Sequence, residues 1–499
     1  MAHEPPRELQ ALQMAVEHHA RAFGLDFFDI VYEVLDWEEI NEVAAYGGYP
    51  ARYPHWRFGM EYQELSRSYA YGLSKIYEMV INNDPTYAYL LAANHFVDQK
   101  LVMAHVSGHA DFFKHNYMFA GTNRRMVDEM ANHAARIRRY VETHGVEAVE
   151  GFLDLCLSID NLVDPNAPPS RRPEPREPVD EDPVAEEPAK LRAKGYMDEF
   201  VNPRAAMEAS RRRRKAERKK EERFPAQPQR DVMLFLQEHA PLRNWERDVL
   251  GIVREEAAYF APQGRTKVMN EGWASYWHSR LMTERLLEGS EVIDYADNHA
   301  GVMAPAPGRF NPYKLGIELW RDVEERWNKG RHGPDWEACD DYAARERWDT
   351  GEMRGQEKIF EVRRHYNDVT FIDAFLTPEF VRRHGLFTYG YDRAARQYVI
   401  ADRDFHAVKE KLLFMLTNFG QPRIDVADAN FLNRGELVLA HRYEGVPLRL
   451  DMARETLANV QRIWKRPVHL ETTYDDRPLA MHFDGTSHSE EASTVERVA

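Results

Sequence analysis

A proline-rich stretch between residues 165 and 188 constrains the fold of this 499-residue chain more than any other feature. Eight of its 24 residues are proline, and most of the others are Arg, Glu, Asp or Ala. Such a composition cannot bury enough apolar surface to form a core, so it predicts a solvated linker. Compact domains must therefore be built from the segments on either side.

A basic cluster follows the proline-rich stretch, with Lys or Arg at eight of the ten positions 211–220. The whole chain carries 66 basic and 82 acidic residues, a formal net charge of −16, which argues against a general role in nucleic-acid binding. We interpret the cluster as a charged extension of the linker. The alternative is a docking patch for an acidic partner or an RNA.

The pattern of apolar residues divides the chain into five parts. Three–four spacing predicts a first helical block at 7–163 and a second at 231–377, separated by a disordered linker at 164–230. Alternating apolar residues predict an α+β domain at 378–485, followed by a disordered tail at 486–499. The predicted fold class is a mainly α amino-terminal body, for which we consider a zincin-like helical arrangement, plus a smaller α+β carboxy-terminal domain.

Within the first block, the same spacing predicts individual helices over residues 62–82 and 86–114. The motif Asn83-Asp84-Pro85 between them supplies a stop, a cap and a first-turn proline. The second block is expected to pack on the first as one body, with the linker looping out, because the candidate site residues of the two blocks complement each other.

The number of cysteines limits the possible metal ligands, and the lengths of the apolar runs indicate the cellular compartment. Cys156 and Cys339 are too few for a disulfide scaffold or a four-cysteine zinc site, so a metal would have to bind to His and carboxylate ligands. The chain has no apolar run near ~18 residues and no apolar segment of a signal peptide at its start. We therefore expect a cytoplasmic protein without a membrane span.

The first candidate site segment contains His105 and His109, which are four residues apart. On a helix both imidazoles point the same way, within reach of one metal ion. At ~100° per residue, Asn94, Asp98 and Asn116 fall on the same stripe. The structural alternative is a set of core polar residues satisfied by neighbouring helices; the metal-ligand spacing favours a metal-binding or catalytic role.

The second candidate segment contains Glu271 and His278, seven residues apart and so on one helical face. Zinc peptidases of the His-Glu-x-x-His class take a third ligand, a Glu, from a separate helix. Their motif also places a general-base Glu directly after the first His, where this chain has Val106. Another carboxylate, such as Asp98 or Glu255, would have to act as the base, or the site is not a peptidase.

Six segments of the chain together resemble the stage V sporulation protein R (SpoVR) family. The similarity extends from about residue 20 to residue 485. The segments are 71–83 (YGLSKIYEMVINN), 98–109 (DQKLVMAHVSGH), 269–278 (MNEGWASYWH), 311–316 (NPYKLG), 416–422 (LTNFGQP) and 433–436 (NRGE).

The resemblance implies a process and does not define a reaction. It implies a role in spore cortex (peptidoglycan) formation in spore formers, or in stress and stationary-phase responses in other bacteria. It also implies a serine protein kinase and a von Willebrand A-like protein as partners. The absence of a Glu after the first His is part of the family pattern, which argues against a damaged peptidase.

Our leading hypothesis is a metal-dependent hydrolase that acts on an amide in a peptide or a cell-wall precursor. One divalent metal, zinc, would bind to His105, His109 and Glu271, with His278 as a fourth ligand or an electrophilic donor. Asp98 or Glu255 would orient a ligand or act as the base.

Two alternatives belong to other classes. One is a non-catalytic adaptor that binds the kinase or its partner through the linker and the carboxy-terminal domain. The other is a metal-free cell-wall enzyme with Glu271 and Asp98 as paired carboxylates.

Overall fold

A computed structural model describes residues 5–70, 78–164, 166, 203, 207–208, 224–303, 311–392 and 396–492. Most of the predicted linker, including the basic cluster at 211–220, lies outside the described residues. Contacts within the chain define two compact units. The first comprises Met1–Val149 and Tyr259–Gln421, and the second comprises Glu150–Ala258 and Pro422–Ala499.

The described part of the chain contains α-helices in both units. Before the linker they are α1 (Arg7–Ala22), α2 (Trp37–Ala45), α3 (Trp56–Ala70), α4 (Phe96–His115), α5 (Met126–His144) and α6 (Val146–Leu157). After it come α7 (Val232–His239), α8 (Asn244–Arg265), α9 (Lys267–Leu281), α10 (Val292–Met303), α11 (Pro312–Asn328), α12 (Pro334–Glu337), α13 (Tyr342–Arg347), α14 (Gly355–His365), α15 (Asp368–Phe375), α16 (Pro378–His384), α17 (Phe405–Leu416) and α18 (Leu450–Trp464). None of the described helices is long and apolar enough to cross a membrane.

The β-strands form three sheets. The strands are β1 (Ile30–Leu35), β2 (Glu78–Ile81), β3 (Thr86–Leu91), β4 (Thr388–Asp392), β5 (Gln397–Asp402), β6 (Ile424–Phe431), β7 (Glu436–His441), β8 (Val468–Tyr474), β9 (Arg477–Phe483) and β10 (His488–Ala492). Their orders are β1-β3-β2, β4-β5 and β10-β9-β8-β7-β6.

The first unit is mainly helical, as predicted, but the continuous helices expected over 62–82 and 86–114 are wrong. Residues 78–81 and 86–91 are the strands β2 and β3, and α4 begins only at Phe96. The strand β3 pairs with β1 in parallel, in the register Ile30↔Thr86, and with β2 in antiparallel. It is buried on both faces, so its apolar residues do not alternate with polar ones and resemble a buried helical turn.

The second unit confirms the predicted carboxy-terminal α+β fold. The strands β7 and β8 run parallel, and α18 forms the connection that parallel neighbours require. The helix α18 buries an apolar stripe that includes Leu457, Val460 and Ile463. The other strand pairs of this sheet are antiparallel.

The unit boundaries defined by contacts differ from the predicted domain boundaries. Residues 150–163 and 231–258 belong to the second unit, and residues 378–421 belong to the first. The tail also differs, because residues 488–492 form the strand β10, which pairs with β9. All five side chains of β10 are exposed, so this strand depends on backbone pairing, which an apolar pattern cannot reveal.

Candidate metal centre

The helix α4 carries the predicted histidine pair through the interior of the first unit. Almost all of its residues are buried, and His105 and His109 are each only 5% exposed. Their rings lie one turn apart, with centroids 4.5 Å from each other. The polar stripe is therefore internal and not a wet surface, and buried polar groups of this kind need partners.

The helix α9 brings Glu271 to the histidine pair, and its first turn is held by a carboxylate. Asp368 accepts hydrogen bonds from the backbone N–H groups of Val268 and Met269, both at 2.8 Å. Burial raises the pKa of Asp368 to about 7, against the lowering effect of these two hydrogen bonds, and the charge of Glu271 raises it further. The start of α9 is thereby fixed relative to α15.

Glycines allow α4, α9 and α11 to approach one another closely. A Cβ atom at Gly108 would lie 2.7 Å from the Cα of Ala274 on α9. A Cβ at Gly272 would lie 2.4 Å from the backbone of Gly316 on α11. Since real Cβ atoms essentially never come that close, only glycine permits this packing, which determines the separation between Glu271 and the two histidines.

Three candidate ligand atoms converge between α4 and α9. The Oε2 atom of Glu271 is 3.6 Å from the Nε2 of His105 and 3.5 Å from the Nε2 of His109. All three atoms lie within 4.8 Å of one another. A tetrahedral zinc site with bonds of about 2.1 Å separates its ligand atoms by about 3.4 Å, so these distances suit one shared ion.

The partner of His109 determines which of its ring nitrogens carries the proton. The Nδ1 of His109 is 2.8 Å from the Oδ1 of Asn270, and an amide oxygen can only accept. His109 therefore donates through Nδ1, and its Nε2, the atom that faces Glu271, carries a lone pair in the neutral ring and a proton in the imidazolium. A hydrogen bond behind a ligating ring is the usual support of a metal-bound histidine.

His105 begins a row of three histidines. Its Nδ1 is 2.8 Å from the Nδ1 of His278, whose Nε2 is 3.2 Å from the Nδ1 of His299. Burial lowers the pKa of His278 well below its usual value, and the neighbouring histidines lower it further. Both ring nitrogens of His278 thus contact other imidazoles, on the Nδ1 side of His105 and not on the Nε2 side that faces Glu271. In this arrangement His278 supports the ring of His105, and its role as a fourth ligand or electrophilic donor stays a prediction.

The charge state of Glu271 suits a cation. Burial alone would raise the pKa of Glu271, but hydrogen bonds and positive charge at His105 and His109 outweigh burial and lower it. The carboxylate is therefore anionic at neutral pH. Its side chain is 17% exposed, against 6% for each histidine, so the Glu271 side is the more open side of the centre.

The other predicted site residues lie outside this convergence. Asp98 is buried and accepts a hydrogen bond from the Nδ2 of Asn298. Asn116 uses its amide to bind the backbone oxygens of Arg363 and Tyr366, which is a structural role. Glu255 is exposed on the part of α8 that belongs to the second unit, and its role as a base stays a prediction.

Val106 occupies the position where zinc peptidases carry their general base. Its side chain is fully buried, and it belongs to the main apolar core of the first unit. The residue is therefore part of the packing of α4. A hydrolytic reaction at this centre would need a proton acceptor from elsewhere.

Sequence reasoning missed two residues that support the centre, Asn270 and Asp368. Asn270 directly precedes Glu271 in the Asn-Glu-Gly motif, and an amide next to a candidate ligand was a usable signal. Asp368 lies about a hundred residues further along the chain, and no local pattern connects it to α9.

The fold and the centre define a class of protein: a mainly helical body with a buried His-His-Glu cluster, combined with an α+β carboxy-terminal domain. Residues 3–421 match the family model described as SpoVR like protein, and residues 422–475 match the SpoVR-like C-terminal domain. The chain belongs to the SpoVR family.

The comparisons also identify a relative of the whole chain. The chain is 28% identical over 499 aligned positions to the uncharacterized protein YcgB of Escherichia coli (strain K12), covering 93% of this chain and 92% of the relative. No solved structure matches the chain.

Proposed function

We propose that His105, His109 and Glu271 bind one divalent metal ion, zinc, and that the protein is a metal-dependent hydrolase acting on an amide of a peptide or a cell-wall precursor. The observation that supports the proposal is the convergence of the two Nε2 atoms on the Glu271 carboxylate, at 3.6 and 3.5 Å. Atoms that carry lone pairs and face one another need a cation or a proton between them.

The residues of the centre have separate roles. A bound zinc ion would polarise a substrate carbonyl and lower the pKa of a coordinated water. Glu271 supplies negative charge, while Asn270 holds the proton of His109 on Nδ1 and so keeps Nε2 available. The neutral His278 holds the ring of His105 from behind.

The base of the proposed reaction remains one of the predicted carboxylates. Asp98 lies on α4 two turns before His105, and its carboxylate accepts a hydrogen bond from the Nδ2 of Asn298 in the middle of α10. A carboxylate held in this way can orient water, which is the role we propose for it.

The test is the metal content of full-length protein purified without chelators. We expect about one equivalent of zinc in the parent protein and its loss from His105→Ala, His109→Ala and Glu271→Gln. The control is His115→Ala, because His115 lies on the same helix but pairs with Asp26. Parent protein without stoichiometric metal, or the three variants with full metal content, would refute the metal centre.

The substrate class needs a separate measurement. We expect metal-loaded protein to release amines from peptide or peptidoglycan-stem substrates, and Glu271→Gln to lose this activity together with the metal. Metal-loaded protein that is inactive on every amide substrate would retain the centre but reject the hydrolase.

Val106 favours a second candidate function, a non-catalytic adaptor for a serine protein kinase and a von Willebrand A-like protein. An apolar, fully buried residue stands where hydrolysis would need a base. In this case Glu271→Gln would leave kinase binding unchanged, whereas deletion of residues 165–225 would abolish it. We propose that either function is cytoplasmic, as the low cysteine content indicates, and that it serves spore cortex formation or a stress response, as the family resemblance implies.

A further inference from the structure

A second row of titratable side chains crosses the five-stranded sheet of the second unit. Glu436 lies on β7, His469 on β8 and His482 on β9. The Nε2 of His469 is 2.8 Å from the Oε2 of Glu436, and its Nδ1 is 2.5 Å from the Nδ1 of His482. The row belongs to a different unit from the centre at His105 and involves none of its residues.

The strand register places this row on one face of the sheet. His469 is directly opposite His482 on the neighbouring strand. Met481, next to His482, points to the other face, where its partner on β10, Glu490, reaches Arg454 of α18. Because successive side chains alternate, His482 and His469 lie on the face away from α18. The side chains of His469 and Glu436 are 12% and 9% exposed, so the row is sheltered and still reachable.

The carboxylate fixes the tautomer of His469. A carboxylate oxygen accepts, so His469 donates to Glu436 through Nε2 and presents a lone pair on Nδ1. This Nδ1 faces the Nδ1 of His482, 2.5 Å away. A neutral imidazole backed by a carboxylate is the arrangement that supports histidine ligands in metal sites.

We propose that His469 and His482 bind a divalent transition-metal ion of the zinc and copper class through their two Nδ1 atoms. Glu436 holds the proton of His469 on Nε2, and water completes the coordination. The ion takes the place of the proton shared by the two rings. Bonds of about 2.1 Å require the two Nδ1 atoms to separate to about 3.4 Å, which small side-chain rotations on a partly exposed face can supply.

Two features make this site weaker than the centre at His105. It offers two nitrogen ligands, whereas that centre offers two nitrogens and a carboxylate. In addition, Arg434 pairs with Glu436 at 2.7 Å and places a positive charge close to the ion. The site should therefore exchange its metal readily, as a surface site does.

The test is a zinc titration of the full-length chain by isothermal calorimetry, with His105→Ala and His109→Ala present so that the first centre does not contribute. We expect one equivalent of zinc to bind. Adding His469→Ala or His482→Ala should weaken binding by about tenfold or more, and Glu436→Gln by about tenfold. The control is His488→Ala, because His488 lies on β10 and stacks on Phe483, which points to the opposite face.

The proposal would be overturned if the parent chain of this test, which carries only His105→Ala and His109→Ala, binds no zinc. It would also be overturned if its zinc affinity is unchanged by both His469→Ala and His482→Ala. Circular dichroism identifies variants that fail to fold. For that case, a Cu²⁺ titration of the same parent chain gives a second readout. Electron paramagnetic resonance should show coupling to two histidine nitrogens, and a spectrum without nitrogen coupling would equally reject the site.

Discussion

Replacing Gly108 by alanine should damage the proposed metal centre without changing any of its candidate ligands. Gly108 lies on α4 between His105 and His109. The added Cβ would meet the Cα of Ala274 at 2.7 Å, about 0.7 Å inside the 3.4 Å at which ordinary contact begins. The obstacle is backbone, which cannot rotate away, so α4 and α9 have to separate by roughly that amount.

The separation acts on both stability and ligand geometry. Overpacking in a buried contact lowers the free energy of unfolding by about 1–3 kcal/mol. The higher helix propensity of alanine raises it by up to about 1 kcal/mol. The distances of 3.5 and 3.6 Å from Glu271 to the two histidines would both grow toward or beyond 4 Å. Since a shared zinc ion requires about 3.4 Å, we expect zinc affinity to fall by about tenfold or more.

The assay combines urea unfolding with a zinc titration of the full chain. The matched control is Gly59→Ala in the helix α3, where the added Cβ meets nothing within 4 Å. This control should raise the free energy of unfolding by about 0.5–1 kcal/mol and leave zinc binding unchanged. A Gly108→Ala protein with parental stability and parental zinc affinity would refute the conclusion that direct helix contact determines the ligand separation.

Three further changes should have measurable effects. Asn270→Ala should lower zinc affinity by about 10–100-fold in a zinc titration, because His109 loses the acceptor that fixes its tautomer. Asp368 should make the free energy of unfolding pH-dependent, because its pKa is raised from 3.8 to about 7 in the folded protein. The stabilisation from its protonated form is complete below pH 3.8 and is lost as the pH rises through 7, by at most about 1.4 kcal/mol per pH unit. Urea unfolding of Asp368→Asn should lack this decline. Arg363→Met should lower the free energy of unfolding by about 3–5 kcal/mol, because the buried Asp111 carboxylate loses its ion pair.

Each of these predictions has a contradicting result, and Arg363→Met also has a matched control. Arg354→Ala breaks an exposed pair with Glu357 and should change stability by no more than about 0.5 kcal/mol. Equal losses in the free energy of unfolding from Arg354→Ala and Arg363→Met would contradict the conclusion that the buried Arg363–Asp111 pair matters more than an exposed one. Parental zinc affinity in Asn270→Ala, or the same pH dependence in Asp368→Asn as in the parent, would contradict the other two.

The candidate ligands could be predicted from the sequence because His105 and His109 share one helix, and Glu271 and His278 share another. A spacing of four residues aligns His105 with His109, and the motif around Glu271 indicates the partner helix. The role of His278 could not be predicted the same way. It shares a face with Glu271, but whether its nitrogens meet a metal or the back of another ring depends on the distance between α4 and α9.

The errors in the fold prediction have a similar physical origin. The segments 78–81 and 86–91 are short apolar runs, which fit a strand and a helical turn equally well, and only the pairing with β1 decides between them. The strand β10 has no buried side chain and owes its conformation to backbone pairing with β9. In each case the conformation depends on the strand that pairs with the segment, and this strand lies outside the segment whose apolar periodicity is examined.

The division of the first unit into two stretches of chain has a consequence for biosynthesis. His105 and His109 leave the ribosome with the first stretch, whereas α9 is complete only at Leu281, 132 residues after Val149. At about 5–20 residues per second, this interval lasts about 7–26 s. During that time the polar side of α4 has neither Glu271 nor Asn270 to pair with. The amino-terminal stretch therefore stays incomplete during this interval, accessible to chaperones and proteases. Premature termination within the interval would produce a fragment that carries only His105 and His109 of the proposed metal centre.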